Sequence, residues 1–481
     1  MRFLFGRTRR CFGRWPVFLV LFLIVFTVKA QNEDEQLRKF SLKEIIDLAL
    51  EQSPSAILAQ HRFRGSYWQY KAHKSKFLPS LSMSATIPNF TRSYEQRYVG
   101  GSEEFVELFQ SSSNVNVNLN QNIGLTGGRI FLESDLQRLD LFSDDTLTSG
   151  EDLTYLTTPL SVGYSQPVFA YNELKWEKKI EPLLYEEAKK EYVSSLEEIS
   201  ETAVNYFFDL ALSQLNLEIA KANYANNDTL YKIAKGRYNI GTIAQNELLQ
   251  MELSLLNSET DLNQAELNME VSKFKLRSFL GFNDKVDIQL KIPDNIPDFQ
   301  VNVSKAIEMA VQNNPRILQY QRQLLEAQSE VARAKSEKSF TADIFASYGL
   351  TQKAYDLENA YKEPEERQII RFGFTLPILD WGNRKGIYKM AQSNEEVVRT
   401  SVNQSRTDFE QDVFLKVAQF NMQYNQVEIA KKAEDIAQMR YNVTKQRFMI
   451  GKIDILDLNI ASSDKDVAKR NYIASLRTYW Q

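Results

Sequence analysis

The stretch Arg237-Tyr238-Asn239-Ile240-Gly241 decides the reading of this chain, because it returns 210 residues later as Arg447-Phe448-Met449-Ile450-Gly451. Each copy sits inside a long apolar heptad pattern. A glycine within a helix costs about 1 kcal/mol, so both glycines read as sharp reversals between antiparallel helices. The sequence therefore predicts two helical hairpins, with tips at Gly241 and Gly451.

The duplication extends beyond the tips. Gly163-Tyr164-Ser165-Gln166-Pro167-Val168-Phe169 is echoed by Gly373-Phe374-Thr375-Leu376-Pro377-Ile378-Leu379 at the same offset of 210 residues. Leu48-Ala49-Leu50-Glu51-Gln52-Ser53-Pro54 is echoed by Met309-Ala310-Val311-Gln312-Asn313-Asn314-Pro315 at an offset of 261. The difference of 51 residues is extra material in the first copy, between about residues 88 and 158. A period near 210 is too long for a solenoid repeat, so two fused copies of one domain are expected. The expected division is a leader over 1–30, a first repeat over 31–290, a linker over 291–300 and a second repeat over 301–481.

Residues 1–30 carry six basic residues (Arg2, Arg7, Arg9, Arg10, Arg14, Lys29), no acid, and an apolar run from Trp15 to Val28 that leads into Ala30. This is the pattern of a secretory signal peptide cleaved after Ala30. The only cysteine, Cys11, precedes the apolar run, so the expected mature chain has no disulfide framework and no cysteine metal site. The whole chain has 58 basic against 62 acidic residues, a net −4; without the six basic residues of the leader the balance is −10, which argues against a nucleic-acid partner. No later stretch has the 18 apolar residues that a membrane-crossing helix requires. A place in a bilayer would have to come from strands.

Ser41-Leu42-Lys43-Glu44 is a capping box that opens an amphipathic helix, ended or bent at Pro54. A second helix runs past Trp68 and His73, and then the period changes. In Ser80-Leu81-Ser82-Met83-Ser84-Ala85-Thr86-Ile87 the odd positions are apolar and the even ones are small hydroxyls, a strand with two unlike faces. Residues 89–157 form the insertion. Within it, the alternating run Asn114–Asn120, a turn at Gly124–Gly128 and a strand over Ile130–Leu141 suggest an additional hairpin. Leu160–Gln166 alternates again and stops at Pro167. From about 172 to 239 the pattern is helical, with a seam through Tyr192, Leu196, Ile199, Ala203, Tyr206, Leu210, Ser213, Leu217 and Ala220. The seam resumes through Leu248, Met251, Leu255, Ser258, Leu262, Ala265 and Met269 and ends at Gly281. The second copy repeats this order, with strands near Ala342–Leu350 and Ile370–Leu376 and a final helix that is expected to be shorter.

Strands that alternate apolar with small polar residues suit a barrel with lipid outside and water inside. The expected lipid face is Leu81, Met83, Ala85, Ile87, Val162, Tyr164, Ile344, Ala346, Tyr348, Phe372 and Phe374. One chain offers four strands, or six with the insertion, whereas spanning barrels start at eight and a bilayer tolerates no open edge. Several chains must therefore share one barrel, and three chains of four strands give twelve.

This doubled order of elements resembles the TolC-type outer-membrane efflux family, the outer membrane factor of tripartite efflux and type I secretion systems. The resemblance covers residues 40–481. It rests on the Ser53-Pro54 and Asn314-Pro315 helix ends, the Gly-x-x-x-Pro strand exits at Gly163 and Gly373, and the Arg-[Tyr/Phe]-x-x-Gly tips. It implies a mainly α fold with β: a TolC-like homotrimer with an outer-membrane β-barrel, a long periplasmic α-helical coiled-coil tunnel and an internal two-fold repeat. It also implies a passive duct that receives substrates from an inner-membrane pump of the RND or ABC type through a periplasmic adaptor protein.

The tip residues Arg237, Gly241, Arg447 and Gly451 close the hairpins, and the resemblance assigns them adaptor docking as well. Asp457 matches a family position whose carboxylates ring the periplasmic entrance. Glu247 holds the equivalent place after Gly241, and Asp454 lies close by. Three copies of each imply a narrow anionic constriction that favours cations; the alternative is a solvated acid near a helix start. Phe448 lacks the hydroxyl, and Ile453 the basic group, that help to lock the entrance in relatives.

No catalytic residues, cofactor or metal site are expected. The two histidines, His61 and His73, are placed on a polar helix in surface roles, and the scattered Ser and Asp residues form no nucleophile motif. Phe169, Tyr171, Trp176 and Trp381 follow the strand exits, either as an interfacial aromatic belt or as core packing. Two rivals remain at this stage. A periplasmic adaptor carries a coiled-coil hairpin but usually one per chain, and a structural scaffold explains the heptads but not the two-faced strands.

Overall fold

The computed structural model describes residues 38–99, 102–142, 153–282, 288–293, 296–450, 452–453 and 455–481. The leader, Gly451, Asp454 and residues 294–295 of the expected linker lie outside the described residues.

The chain opens with β1 (Arg38–Ser41), α1 (Leu42–Gln52) and α2 (Pro54–Ser75). The capping box forms: the Ser41 hydroxyl accepts from the Glu44 N–H at 3.4 Å, and the Glu44 carboxylate accepts from the Ser41 N–H at 2.7 Å. Pro54 divides α1 from α2. Its missing N–H costs nothing at a first helical position, and the buried Ser53 caps the new helix by accepting from the Ala56 N–H at 3.1 Å. Four strands follow: β2 (Ser80–Val99), β3 (Ser102–Ile123), β4 (Gly128–Leu141) and β5 (Leu153–Val168). The hairpin of α3 (Glu173–Asn239) and α4 (Gln245–Leu280) completes the first half. At about 1.5 Å per residue, the 67 residues of α3 reach about 100 Å.

The second half repeats the order, from β6 (Ile288–Lys291) through α5 (Val303–Asn313), α6 (Pro315–Lys338), β7 (Thr341–Ala354) and β8 (Glu365–Thr375) to α7 (Asn383–Met449) and α8 (Ile455–Trp480). Asn314 and Pro315 reproduce the Ser53-Pro54 cap, with the Asn314 side chain accepting from the Arg316 N–H at 3.0 Å. The final helix has 26 residues against 36 in α4.

Six strands form one antiparallel sheet in the order β2-β3-β4-β5-β7-β8, with β2 and β8 at its edges. The inserted segment thus supplies a full hairpin, β3–β4, in the middle of the sheet. The expected first strand was too short. It continues from Ile87 to Val99, because a bulge between Thr86 and Asn89 takes up Pro88 without ending the ladder. Register sorts the faces across the sheet. Leu81, Leu119, Leu132, Val162 and Tyr348 form one apolar row, and Ser82, Asn118, Glu133, Ser161, Gly349 and Arg367 form a polar row on the other face. The outward residues are bare in the single chain: Met83 is 70% and Phe372 74% exposed.

The main core lies at mid-height, where the two halves meet. Ile45 and Ala49 of α1, Phe207, Phe208 and Leu210 of α3, Leu276 and Leu280 of α4, Ile288 of β6 and Leu476 of α8 bury against one another. Below it the helices lie side by side as α4-α3-α8-α7, and above it as α2-α3-α6-α7. Arg322 on α6 ties the upper tier to α3, donating to both carboxylate oxygens of Glu187 at 2.7 and 3.1 Å and to Glu326 at 2.8 Å. The hydrogen bond to Glu187 in particular holds its guanidinium protonated beyond its already high ordinary range. The lower sheet of helices has raw edges. On α4, Leu249, Leu253, Leu256, Leu267, Val271 and Phe274 stand exposed at heptad spacing, and on α7 so do Leu415, Met422, Ile429, Ile436 and Val443, seven residues apart throughout.

His73 departs from the surface role expected of it. His61 is exposed, but His73 is buried, with Phe77 edge-on at 5.1 Å and the Glu177 carboxylate 3.6 Å from Nδ1. The strand exit folds α2 against the start of α3 there, and the imidazole fills the junction. The aromatic group also divides. Phe169, Tyr171 and Trp176 line one shallow pocket with Phe340, whereas Trp381 stands 90% exposed. The exposure of Phe169 (69%) and Trp381 excludes core packing of those two rings within the chain.

Candidate functional site at the helical tips

The first tip closes as a Schellman motif. Gly241 has φ +73°, its N–H donates to the Tyr238 carbonyl at 2.9 Å, and the Thr242 N–H donates to the Arg237 carbonyl at 3.0 Å. The Thr242 hydroxyl adds a second bond to that carbonyl at 2.9 Å. At the second tip the Lys452 N–H donates to the Arg447 carbonyl at 3.0 Å across the same span. Both arginines therefore end their helices through backbone oxygens. The Arg237 side chain is half-buried and that of Arg447 is exposed.

The tips lie together. A cleft of about 530 Å³ is lined by Arg237 and Glu247 from the first hairpin and by Phe448, Ile453 and Leu456 from the second. Phe448 is half-buried and packs on the cluster of Tyr441, Leu458 and Ala461 in its own hairpin, on which Leu230 of α3 also packs, so its ring has an apolar role at this place. Glu247 and Asp457 are exposed, each in the first turn of the helix that returns from its tip, α4 and α8. A carboxylate there complements the positive end of the helix dipole, which gives both acids a local structural reason. Gly451 and Asp454 lie outside the described residues, so of the seven expected positions the structure places five.

Three polar ties went unremarked in the sequence. Arg440 on α7 pairs with Asp464 on α8. The Asn223 amide on α3 donates to Asp466 on α8 at 2.9 Å, and Asp466 is only 4% exposed. Arg477 on α8 donates to Asp209 on α3 at 2.7 Å and to Asn205. One signal was available: Asp466 stands one heptad before Ile473, an acid in a position that the seam gives to apolar residues. Among the described residues no three His, Cys, Asp or Glu side chains are grouped to hold a metal ion. What the tip offers chemically is exposed carboxylates beside guanidinium groups and an apolar cleft, a setting for electrostatic filtering and for docking.

Residues 45–282 and 306–480 match the family profile described as outer membrane efflux protein. The chain belongs to the outer membrane efflux protein family. Solved channels share its fold at low identity. The CmeC outer membrane channel of Campylobacter jejuni is 17% identical, covering 91% of this chain and 83% of that one with a TM-score of 0.64. VceC of Vibrio cholerae is 14% identical, covering 91% and 93% with a TM-score of 0.63. The open state of the MtrE outer membrane channel of Neisseria gonorrhoeae is 17% identical, covering 91% and 86% with a TM-score of 0.51. No curated protein sequence matches. The family is one of outer membrane efflux proteins, CmeC and MtrE are outer membrane channels and VceC is an outer membrane protein, and the TolC-like fold with its barrel strands and helical tunnel is the one expected from the sequence.

Proposed function

We propose that this protein is the outer-membrane exit duct of a tripartite efflux or type I secretion system. Three copies close into one tube that passively conducts substrates delivered by an inner-membrane pump through a periplasmic adaptor. The observation that carries this reading is the pair of raw edges. The six-stranded sheet ends at β2 on one side and β8 on the other, and the lower helices end at α4 and α7, each with an unpartnered heptad stripe. Such edges are satisfied when the α4 and β2 side of one copy meets the α7 and β8 side of the next, and a head-to-tail contact of this kind closes into a ring. Three copies place twelve helices in each tier.

In this assembly Asp457 and Glu247, with Asp454, form the anionic constriction at the periplasmic entrance. Arg237, Gly241, Arg447 and Gly451 present the docking tip to the adaptor. The outward rows of the sheet face outer-membrane lipid, and nucleic acid has no part.

Washing membranes without detergent, then extracting with detergent and measuring mass, tests the proposal. Retention through the wash and a mass of three chains are expected. A well-folded single chain released into plain buffer, with no affinity for lipid, overturns it.

A further inference from the structure

We propose that the inserted β3–β4 hairpin is part of the lumen wall, so that the closed assembly has an eighteen-stranded barrel with a wide, amide-rich hydrophilic exit. The inference rests on the trimeric duct proposed above.

The hairpin is not an appendage. β2 reaches β5 only through β3 and β4, and pairing runs unbroken from Gln110 opposite Leu141 to Ile123 opposite Gly128. Its faces follow those of the sheet. Val115, Val117 and Leu119, with Leu132 and Leu136, continue the lipid side. Asn114, Asn116, Asn118 and Asn120, with Glu133 and Asp135, continue the polar side, where the Asn116 amide reaches Asp135 at 3.5 Å. A hairpin lying outside the wall has no reason to keep this alternation in register with its neighbours.

Its base is also bolted to the helices on both flanks. The Gln121 amide donates to the Phe77 carbonyl at 2.8 Å, and the Asn122 amide to the Lys76 carbonyl at 3.0 Å, at the end of α2. At the start of α3, the Asn172 amide donates to the carbonyls of Gly124 and Leu125 at 3.3 and 3.2 Å. On β5, the Gln166 amide donates to the Thr126 carbonyl at 2.9 Å. These ties hold the turn at the level where the other strands leave the helices, which fixes the hairpin as a stave of the tube.

Barrel diameter grows roughly linearly with strand number, so eighteen strands give about one and a half times the width of twelve and about twice the bore area. Barrels of 16 to 18 strands hold an aqueous channel. The added lining is rich in asparagine and carboxylate over Asn114–Asn120 and Glu133–Asp135, with Phe131 stacked on Phe345 at 5.6 Å nearer the base, a surface that suits large hydrophilic cargo.

The test uses full-length chains in which Cys11→Ser removes the only native thiol and single cysteines are introduced. Asn116→Cys and Glu133→Cys sample the lumen face, and Val117→Cys and Leu132→Cys the lipid face. Extracted outer membranes are treated with a charged, water-soluble maleimide. The lumen positions are expected to react at least tenfold faster than the lipid positions. Equal reaction of both faces, or none, overturns the inference. On the same samples, end-on electron-microscopic averages are expected to show the wider outline, and a twelve-strand diameter overturns it. A mass other than three chains refutes the duct assembly itself, and it is read independently of the labelling.

Discussion

Replacing Gly241 by valine separates the tip's role from its contribution to stability. Gly241 sits at φ +73°, where an L-residue pays about 1–2 kcal/mol, with a β-branched side chain at the upper end. A Cβ there meets nothing within 4 Å, so no clash adds to the backbone term. The core around Phe207 and Phe208 is not touched, and the penalty falls on the turn alone. A change of that size shifts the turn's local equilibrium about 5- to 30-fold, enough to undo the Gly241 and Thr242 closing bonds. Gly281 provides a matched control. It has φ +72°, and Phe282 and Gly281 make the same pair of bonds, to Arg277 and Ser278, at the other end of α4. A Cβ at Gly281 meets only ordinary contacts, at 3.6 and 3.7 Å. Gly281→Ala therefore carries a backbone penalty of about 1–2 kcal/mol away from the tip. Cells carrying each variant are assayed for dye export and for cross-linked trimer. Gly241→Val is expected to lose export at an unchanged trimer level, and Gly281→Ala to export in proportion to its trimer. Normal export by Gly241→Val refutes the docking role.

Further predictions concern charge, core and anchoring. Asp457→Asn combined with Glu247→Gln is expected to lower cation selectivity in planar bilayers, and an unchanged reversal potential removes these acids from the constriction. Phe208→Ala empties a fully buried site and is expected to cost about 3–5 kcal/mol, read from the denaturation midpoint of the extracted protein. Arg322→Ala removes a two-pronged bond from α6 to Glu187 and is expected to cost about 1.5–3 kcal/mol; Arg322→Lys restores little of it, because an ammonium cannot span both oxygens.

Much of this architecture was legible because the chain states it twice. The Gly241 tip, the repeated Ser/Asn-Pro caps and the period-two strands each follow from local chemistry and each appears in the structure; of the second tip the structure describes the helix ends and the Lys452 closing bond but not Gly451. Strand length was harder to read: Pro88 looks like an end until the bulge shows how the ladder passes it. His73 misled because a polar helix face says nothing about a second helix folded over it from residue 177 onward. The edge stripe of Leu415, Met422, Ile429, Ile436 and Val443, although regular in spacing, was not among the features read from the sequence. Its meaning emerged only once α8 had claimed the other face of α7. The acids near the tips are harder still, since a carboxylate in a first helical turn has a local reason whether or not it also lines a bore.

The two raw edges also bear on genetics. In the proposed three-membered ring a subunit depends on its sisters to satisfy its margins, so a version defective only at the tip would still enter the ring and spoil it. If one faulty member disables the tube, a cell making equal amounts of both versions keeps only about one eighth of its ducts intact in a three-membered closed ring. Tip substitutions that spare assembly should therefore be dominant, whereas those that destroy an edge should be recessive.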